Sequence, residues 1–358
     1  MRALVVVCRY LGDVLLATPL AKALQQDGYA VDWLVSPGTE QMISGQSFAN
    51  NVHVLQATAS DTFRHIRKLW QKYDIACVIS GSDRPMLIAL TAARRVHALL
   101  PTRSQDGWKR ALANSWVPHT LESHAVENVY RLTHSVGLNP NHKIGIQWTQ
   151  HDQQIVQQQI VQQHLAAVSS YILIHPFARW PYKYWLDTSW QWLMQKLVEQ
   201  GFHIVLTAGP ADLAAATSLT RQLPPESCHL LAGTLSWPQL ACLCSRAALY
   251  IGMDTANTHL AASTGTPTLS LFGPTDPVIW GPWPDQEISL NNPYQPSSAS
   301  GCQHAGNVTL LQGPQDCVPC QLEGCERHRQ SRSLCLESMT PERVLQQALT
   351  ILEQGRNL

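Results

Sequence analysis

The turn Arg9-Tyr10-Leu11-Gly12-Asp13-Val14-Leu15-Leu16 places a carboxylate where a β-branched run gives way to helical spacing. A dinucleotide site would require G-x-G-x-x-G here so that backbone can approach a pyrophosphate, and only Gly12 is present. Asp13 instead stands at the carboxyl end of a strand and the start of a helix, where its negative charge is favoured. An ionised carboxylate there can accept the proton of a substrate hydroxyl. It can equally be a helix cap. Spacing alone does not choose between them.

A second run, Ile174-His175-Pro176-Phe177-Ala178-Arg179-Trp180-Pro181-Tyr182-Lys183-Tyr184-Trp185, ends a strand in a loop with two cations four residues apart. Arg offers a planar fork for phosphate and Lys a compact point charge. The plainer reading is a solvated loop whose aromatic rings pack on the domain. A third run, Tyr250-Ile251-Gly252-Met253-Asp254-Thr255-Ala256-Asn257-Thr258-His259, carries a strand straight into a helix through small polar residues. The free N–H groups of such a helix start make a ready phosphate site, and the same pattern suits a well-capped structural helix. The fourth, Ser270-Leu271-Phe272-Gly273-Pro274-Thr275-Asp276-Pro277, says only that a strand closes in a turn.

Ten cysteines divide into five scattered ones and five in the last fifth: Cys302, Cys317, Cys320, Cys325 and Cys335. Cys317-x2-Cys320-x4-Cys325-x9-Cys335 supplies the four thiols of a structural zinc or iron site, although the spacing matches no standard zinc pattern. Reduced packing thiols and disulfides are the alternatives. The apolar stretch at residues 3–7 is too short for a signal-peptide core and reads as a first strand. The expectation is therefore a cytoplasmic protein with reduced thiols.

These residues need elements to hold them. Residues 3–7, 31–35 and 75–79 read as buried strands, with helical spacing over 14–25. From Gln147 to Gln163, nine of 17 residues are Gln, with neither glycine nor proline, which reads as an interdomain connection or a surface helix or hairpin of the first domain. The alternation then restarts, with strands at 171–175, 203–207, 247–252 and 268–272. Helices are expected at 185–200, 213–223, 257–264 and 341–353. Residues 273 to about 313 read as loops. Strands alternating with helices imply parallel β-α-β units. The expected organisation is an N-terminal domain over 1–165 and a C-terminal domain over 166–340. A Cys-rich tail starts near 302, and 341–358 form a terminal helix.

At 358 residues, 45% hydrophobic and 14% charged, the chain can build packed cores and is not disordered. Its 25 basic and 25 acidic side chains cancel, which argues against a dedicated nucleic-acid binder. The front 165 residues hold 15 basic and 11 acidic side chains, so a net +4 there hints at an anionic partner. No apolar run approaches the roughly 18 residues of a spanning helix. Of the 12 Trp residues, Trp185, Trp190 and Trp192 gather on one expected helix, and Trp280 and Trp283 in one loop. Such rings either anchor a peripheral protein to a membrane or cover a core edge.

The four turns, in this order and spacing, resemble glycosyltransferase family 9, the bacterial lipopolysaccharide heptosyltransferases. The residues that carry the likeness are Leu11-Gly12-Asp13-Val14, then His175-Pro176 with Arg179 and Lys183. Asp254-Thr255-x-x-Thr258-His259-Leu260-Ala261-Ala262 and Gly273-Pro274-Thr275-Asp276-Pro277 complete it. The tail Asp316-Cys317-Val318-Pro319-Cys320-x4-Cys325 with Ser333-Leu334-Cys335-Leu336 looks most like the heptosyltransferase III branch.

The resemblance implies the GT-B architecture, two Rossmann-like parallel-sheet domains facing across a cleft. It implies an ADP-heptose donor on the second domain and an inner-core lipopolysaccharide acceptor on the first, with no cofactor needed for catalysis. A lipid-anchored acceptor further implies peripheral contact with the cytoplasmic face of the inner membrane. By position, Asp13 would be the general base of an inverting transfer. Lys183, with Arg179, would stabilise the departing ADP. Thr255, Ala256 and Asn257 would hold the diphosphate, Asp254 and His259 would orient hydroxyls, and Asp212 would contact ribose or adenine. Family members often have glycine where this chain has Phe177 and Ala256. Phe177 is expected to narrow the cleft and Ala256 to bring a methyl near the phosphate. A nucleotide-sugar epimerase of the same architecture and a non-catalytic sugar-nucleotide binder are the rival readings.

Overall fold

The computed structural model describes every residue except 80, 163–169, 297–300 and 357–358. The chain divides into two compact units, Met1–Gln147 with Gln286–Asn292 and Trp148–Asp285 with Pro293–Leu358. The boundary expected at 165/166 lies outside the described residues, and the change of unit falls earlier, after Gln147. The terminal helix belongs to the second unit.

In the first unit, β1 (Arg2–Val7), β2 (Ala30–Val35), β3 (Asn51–Val54), β4 (Tyr73–Val78), β5 (Ala93–Leu100) and β6 (Ser115–Pro118) form one sheet. Its order is β3-β2-β1-β4-β5-β6, and every pair is parallel. Residues 3–7 are fully buried, which is why a continuous apolar run rather than an alternating one marks β1. The helical spacing at 14–25 proves to be two helices, α1 (Leu11–Leu16) and α2 (Thr18–Gln26), broken at Ala17 because Pro19 has no N–H to continue the ladder. α3 (Ala59–Leu69) and α4 (Asp83–Ala92) flank the sheet and pack on each other. α5 (Gly107–Leu112) and α6 (Ala125–Ser135) complete the unit. Lys109, itself buried, bonds Asp106 at 2.6 Å, Asp83 at 2.7 Å and the Gly81 carbonyl, pinning the loops at the carboxyl edge together.

The second unit repeats the plan. β7 (Tyr171–His175), β8 (His203–Ala208), β9 (Cys228–Ala232), β10 (Leu249–Met253), β11 (Thr268–Phe272), β12 (Cys302–Ala305) and β13 (Val308–Gln312) run in the order β12-β13-β11-β10-β7-β8-β9. Only the edge strand β12 is antiparallel. The loop expected over 273–313 therefore contains a hairpin; β13 is buried along its whole length, and its short apolar run was hidden between glycines.

The change of unit falls at the start of the Gln-rich stretch, between Gln147 and Trp148, and the stretch continues as a helix. It is α7 (Gln150–Gln162) of the second unit, and Val156 and Ile160 bury one stripe in a cluster with Leu243 and Ala261. Two such side chains contribute on the order of 3–5 kcal/mol, enough to seat a helix whose other residues are mostly glutamine. α8 (Asp187–Glu199), α9 (Leu213–Thr220), α10 (Trp237–Cys244), α11 (Ala256–Ser263), α12 (Pro277–Trp280), α13 (Leu334–Glu337) and α14 (Pro341–Arg356) follow. α14 packs on α8. Trp185, Trp190 and Trp283 are each 1% exposed, and Trp185 and Trp190 meet edge to face at 4.9 Å. The tryptophans gathered at 185–192 and 280–283 thus chiefly build the core.

Candidate functional site

In both sheets the order in which the chain adds its parallel strands reverses, between β1 and β4 and between β10 and β7. Open parallel sheets bind ligands outside the carboxyl ends of the strands at such a reversal, because the connections leave in opposite directions there. All four sequence turns leave from carboxyl ends. Three belong to the strands at the reversal: the Asp13 turn follows β1, the Lys183 loop follows β7 and the Asp254 junction follows β10. The fourth, Gly273–Pro277, follows β11.

In the second unit the geometry is tight. A single helical turn at Pro181–Lys183 brings Lys183 back over the sheet, where its Nζ donates to Asp254 Oδ2 at 2.5 Å. Asp254 is 7% exposed. Burial pushes its carboxyl up, but the Lys183 ammonium and the Thr275 hydroxyl outweigh that and hold it below the usual carboxylate range. Thr275 comes from the fourth turn, so that turn joins the site. Thr255 starts α11 in extended conformation, and no side chain caps the helix. The first N–H groups of α11 thus face outward without an intrahelical acceptor. Thr258 turns inward, donating to the Met253 carbonyl.

His175 ends β7, and its Nε2 lies 2.8 Å from Asn257 Nδ2 while its Nδ1 lies 3.1 Å from Thr207 Oγ1. Thr207 donates onward to the Ile174 carbonyl, so its oxygen accepts from His175 Nδ1–H. That leaves Nε2 as the acceptor for the Asn257 amide. Burial agrees, pulling His175 down to about 4 and keeping the ring neutral. His259 is likewise brought to about 4, mainly by burial, with Lys183 adding to it and Asp254 opposing. Its Nδ1 is buried and makes no hydrogen bond among the described residues. His175, Thr207 and Thr275 escaped assignment from sequence; the signal available was His175-Pro176 directly after a buried strand.

Other expected residues sit further out. Arg179 is exposed and stacks on Trp180 at 5.0 Å; Arg329 of the tail stacks on the same ring at 4.8 Å. Asp212 lies in the turn after β8 beside Tyr184, its carboxyl raised by burial against the opposing Gly209 hydrogen bond. Phe177 does not stand out into solvent to narrow anything: it is buried in the unit's core, edge-on to His175 at 6.1 Å. Ala256 opens α11, which leaves its methyl beside the exposed N–H groups.

In the first unit, Asp13 Oδ2 accepts from the Tyr10 N–H at 3.2 Å and Oδ1 lies 3.8 Å from Arg9. The carboxylate therefore caps the start of α1. Burial raises it above the ordinary range, while Arg9 and the Tyr10 hydrogen bond oppose the rise. A cavity of about 430 Å³ opens at the same edge, lined among others by Cys8, Ser36, Gln56 and Arg84. Arg84, which sequence reading missed, is held by the Gln56 and Thr58 carbonyls at 3.1 and 3.2 Å.

The tail is a clip on the second unit. Ser333 Oγ donates to the Tyr182 carbonyl at 2.7 Å, Trp185 Nε1 to the Met339 carbonyl at 2.9 Å, and the Gln321 N–H to the Pro274 carbonyl at 2.7 Å. It braces both the Lys183 loop and the Thr275 turn. The expected metal site at Cys317, Cys320, Cys325 and Cys335 is not formed: among the described residues no three His, Cys, Asp or Glu side chains are arranged to hold an ion. Cys335 is buried in the core, whereas Cys317 and Cys325 are exposed; Cys325 accepts a hydrogen bond from the Leu334 N–H. Among the described residues no disulfide joins any of the ten cysteines.

Comparison with known proteins identifies the family. Residues 62–307 match the profile of glycosyltransferase family 9 (heptosyltransferase). Lipopolysaccharide heptosyltransferase 3 of Escherichia coli K12 is 28% identical over 299 residues, 79% of this chain and 85% of that protein. The solved structure of E. coli ADP-heptose lps heptosyltransferase II superposes with a TM-score of 0.74 at 18% identity, covering 99% of this chain and all of that one. E. coli heptosyltransferase WaaC with ADP gives 0.67 at 20% identity, covering 98% and 100%. The fold class is thus GT-B, built from two parallel-sheet α/β units. The profile spans most of the chain and includes both the Lys183 loop and the Asp254 junction; this protein belongs to glycosyltransferase family 9 and is a glycosyltransferase.

Proposed function

We propose that the protein moves a heptose from ADP-heptose onto a hydroxyl of the lipopolysaccharide inner core, with inversion at the anomeric carbon. The observation that carries this reading is the Lys183–Asp254 pair set against the uncapped start of α11. A diphosphate at that helix start meets free N–H groups and the positive end of the helix dipole. Lys183, partly exposed, supplies the point charge for the leaving diphosphate, and Arg179 a second cation from the same loop. Asn257, oriented by neutral His175, and His259, with its spare ring nitrogen, suit sugar or ribose hydroxyls. Asp212 serves the nucleoside end.

The acceptor binds on the first unit, where Asp13 is the base. Its carboxylate takes the hydroxyl proton as that oxygen bonds the anomeric carbon and the bond to ADP breaks, the electron pair leaving on phosphate. Arg84 and Arg9 suit an anionic acceptor. No metal or organic cofactor takes part in the chemistry. No helix is long and apolar enough to cross a membrane. A cytoplasmic enzyme in peripheral contact with the inner membrane, where a lipid-anchored acceptor would be found, fits the reading.

Calorimetry with ADP and UDP, followed by transfer assays with ADP-heptose and truncated lipopolysaccharide acceptors, tests it. ADP should bind and UDP should not, and heptose should appear on the acceptor. Preference for UDP, or ADP binding without transfer, overturns the assignment.

A further inference from the structure

The most exposed aromatic side chains are Phe63 and Trp70 rather than those of the tryptophan-rich segments, with Tyr10 and Trp116 less exposed. Phe63 is 72% exposed and Trp70 56%, both on α3 or its last turn; Leu87, 42% exposed, lies on the adjoining α4. Phe63, Arg67 and Trp70 are spaced four and three residues apart, so they form one stripe along the helix. Arg64 and Lys68 flank the stripe and Lys72 follows it, all exposed. The acid of this segment, Asp61, is buried and engaged by Arg64 and the Gln56 N–H. The Gln71 N–H bonds the Thr91 carbonyl at 3.0 Å, which sets the end of α3 beside exposed Arg94. Arg67, Lys72 and Arg94 meet no carboxylate among the described residues.

We propose that this face of α3 docks on an anionic lipid surface. Water is a poor environment for two large exposed rings, whereas the headgroup layer takes a ring's apolar body and leaves neighbouring cations among phosphates. Charge complementarity selects the anionic lipid, since each nearby cation adds attraction to such a surface. The proposal deepens the reading above, in which the acceptor is lipid-anchored. Arg84 ties the start of α3 to the carboxyl edge of the sheet. A bilayer laid along α3 therefore ends beside the edge that holds Asp13.

Co-sedimentation of the full chain with vesicles of phosphatidylcholine, with and without an equal part of phosphatidylglycerol, tests the surface with no lipopolysaccharide present. The chain should partition onto the anionic vesicles and be released by salt. Arg67→Ala with Lys72→Ala should weaken partitioning by about fivefold per cation removed. Phe63→Ser with Trp70→Ser should weaken it on the order of tenfold, and Arg221→Ala on the second unit should leave it unchanged. Transfer to a water-soluble, delipidated acceptor should be the same in all variants, which shows them folded. Equal binding to both vesicle types, no binding to either, or equal binding by all variants overturns the surface. Anionic-vesicle binding with no heptose transfer by any form would sink the enzymatic reading and leave the surface standing.

Discussion

Lys183 Nζ donates to Asp254 Oδ2 at 2.5 Å, bonding the loop after β7 to the junction that opens α11. The carboxylate is almost fully buried and the ammonium is 22% exposed, so the pair keeps one cation at the mouth of the helix while the anion stays beneath it. Lys183→Ala leaves a buried carboxylate without its cation. Discounting for the exposure of the lysine, the loss of stability should be on the order of 2 kcal/mol. Asp254 is depressed in the folded state, so its contribution is present above its unfolded value and is lost as pH falls through the folded one. Removing Lys183 raises the folded value, and the acid unfolding midpoint should move to higher pH. Thermal melts across an acid series check the sign, and calorimetry should show weaker ADP binding in the same variant.

Asp13→Asn should reduce transfer by about 10²–10⁴-fold while leaving ADP affinity unchanged, since the proposed donor site lies in the other unit. The acid limb of kcat/KM should lie above the ordinary carboxylate range because burial raises Asp13. Arg9 opposes that rise, so Arg9→Ala should move the limb further up in pH. A limb that stays put in Arg9→Ala counts against Asp13 as the titrating base.

His175 and His259 are held near 4 in the folded protein, well below a free imidazole. The unfolded chain therefore binds more protons between about 4 and 6.5, and stability rises with pH across that window. Above it the contribution is complete; as pH falls through the window it is lost, at about 1.4 kcal/mol per pH unit for each ring. His175→Gln should flatten the dependence. It should also weaken ADP binding by releasing Asn257, an effect that His259→Gln, with no such tie, would not reproduce through Asn257. Chemical denaturation at a series of pH values measures the first effect and calorimetry the second.

Cys317 and Cys325 are exposed, whereas Cys335 is buried and burial, joined by the neighbouring thiols, pushes it up to about 12. A maleimide followed by mass spectrometry should label the first two quickly and spare Cys335 and Cys77 until the protein unfolds. Chelator treatment should leave both this pattern and transfer unchanged. Loss of transfer on chelation, restored by a metal, would show that an ion holds the tail after all.

Continuous apolar runs announced the buried strands of both sheets, since a parallel strand covered on two faces needs no alternation. The turns at their carboxyl ends marked Asp13, Lys183 and Asp254, because charged residues stand out where a buried apolar strand gives way to a turn. Local pattern failed where partners were distant in sequence. β13 is short and glycine-flanked, and only pairing with β11 and β12 makes it a strand. The Gln-rich stretch became a seated helix through two side chains that join a cluster with residues more than 80 positions away. Whether a charge is paired, a histidine neutral, or a tryptophan buried depends on what the folded chain brings within a few ångströms, and a linear sequence carries no such distances. The sequence by itself determined which residues stand at the ends of which strands. The tertiary structure alone decided that Thr275 supports Asp254, that His175 orients Asn257, and that Phe63 and Trp70, rather than the clustered tryptophans, face the solvent.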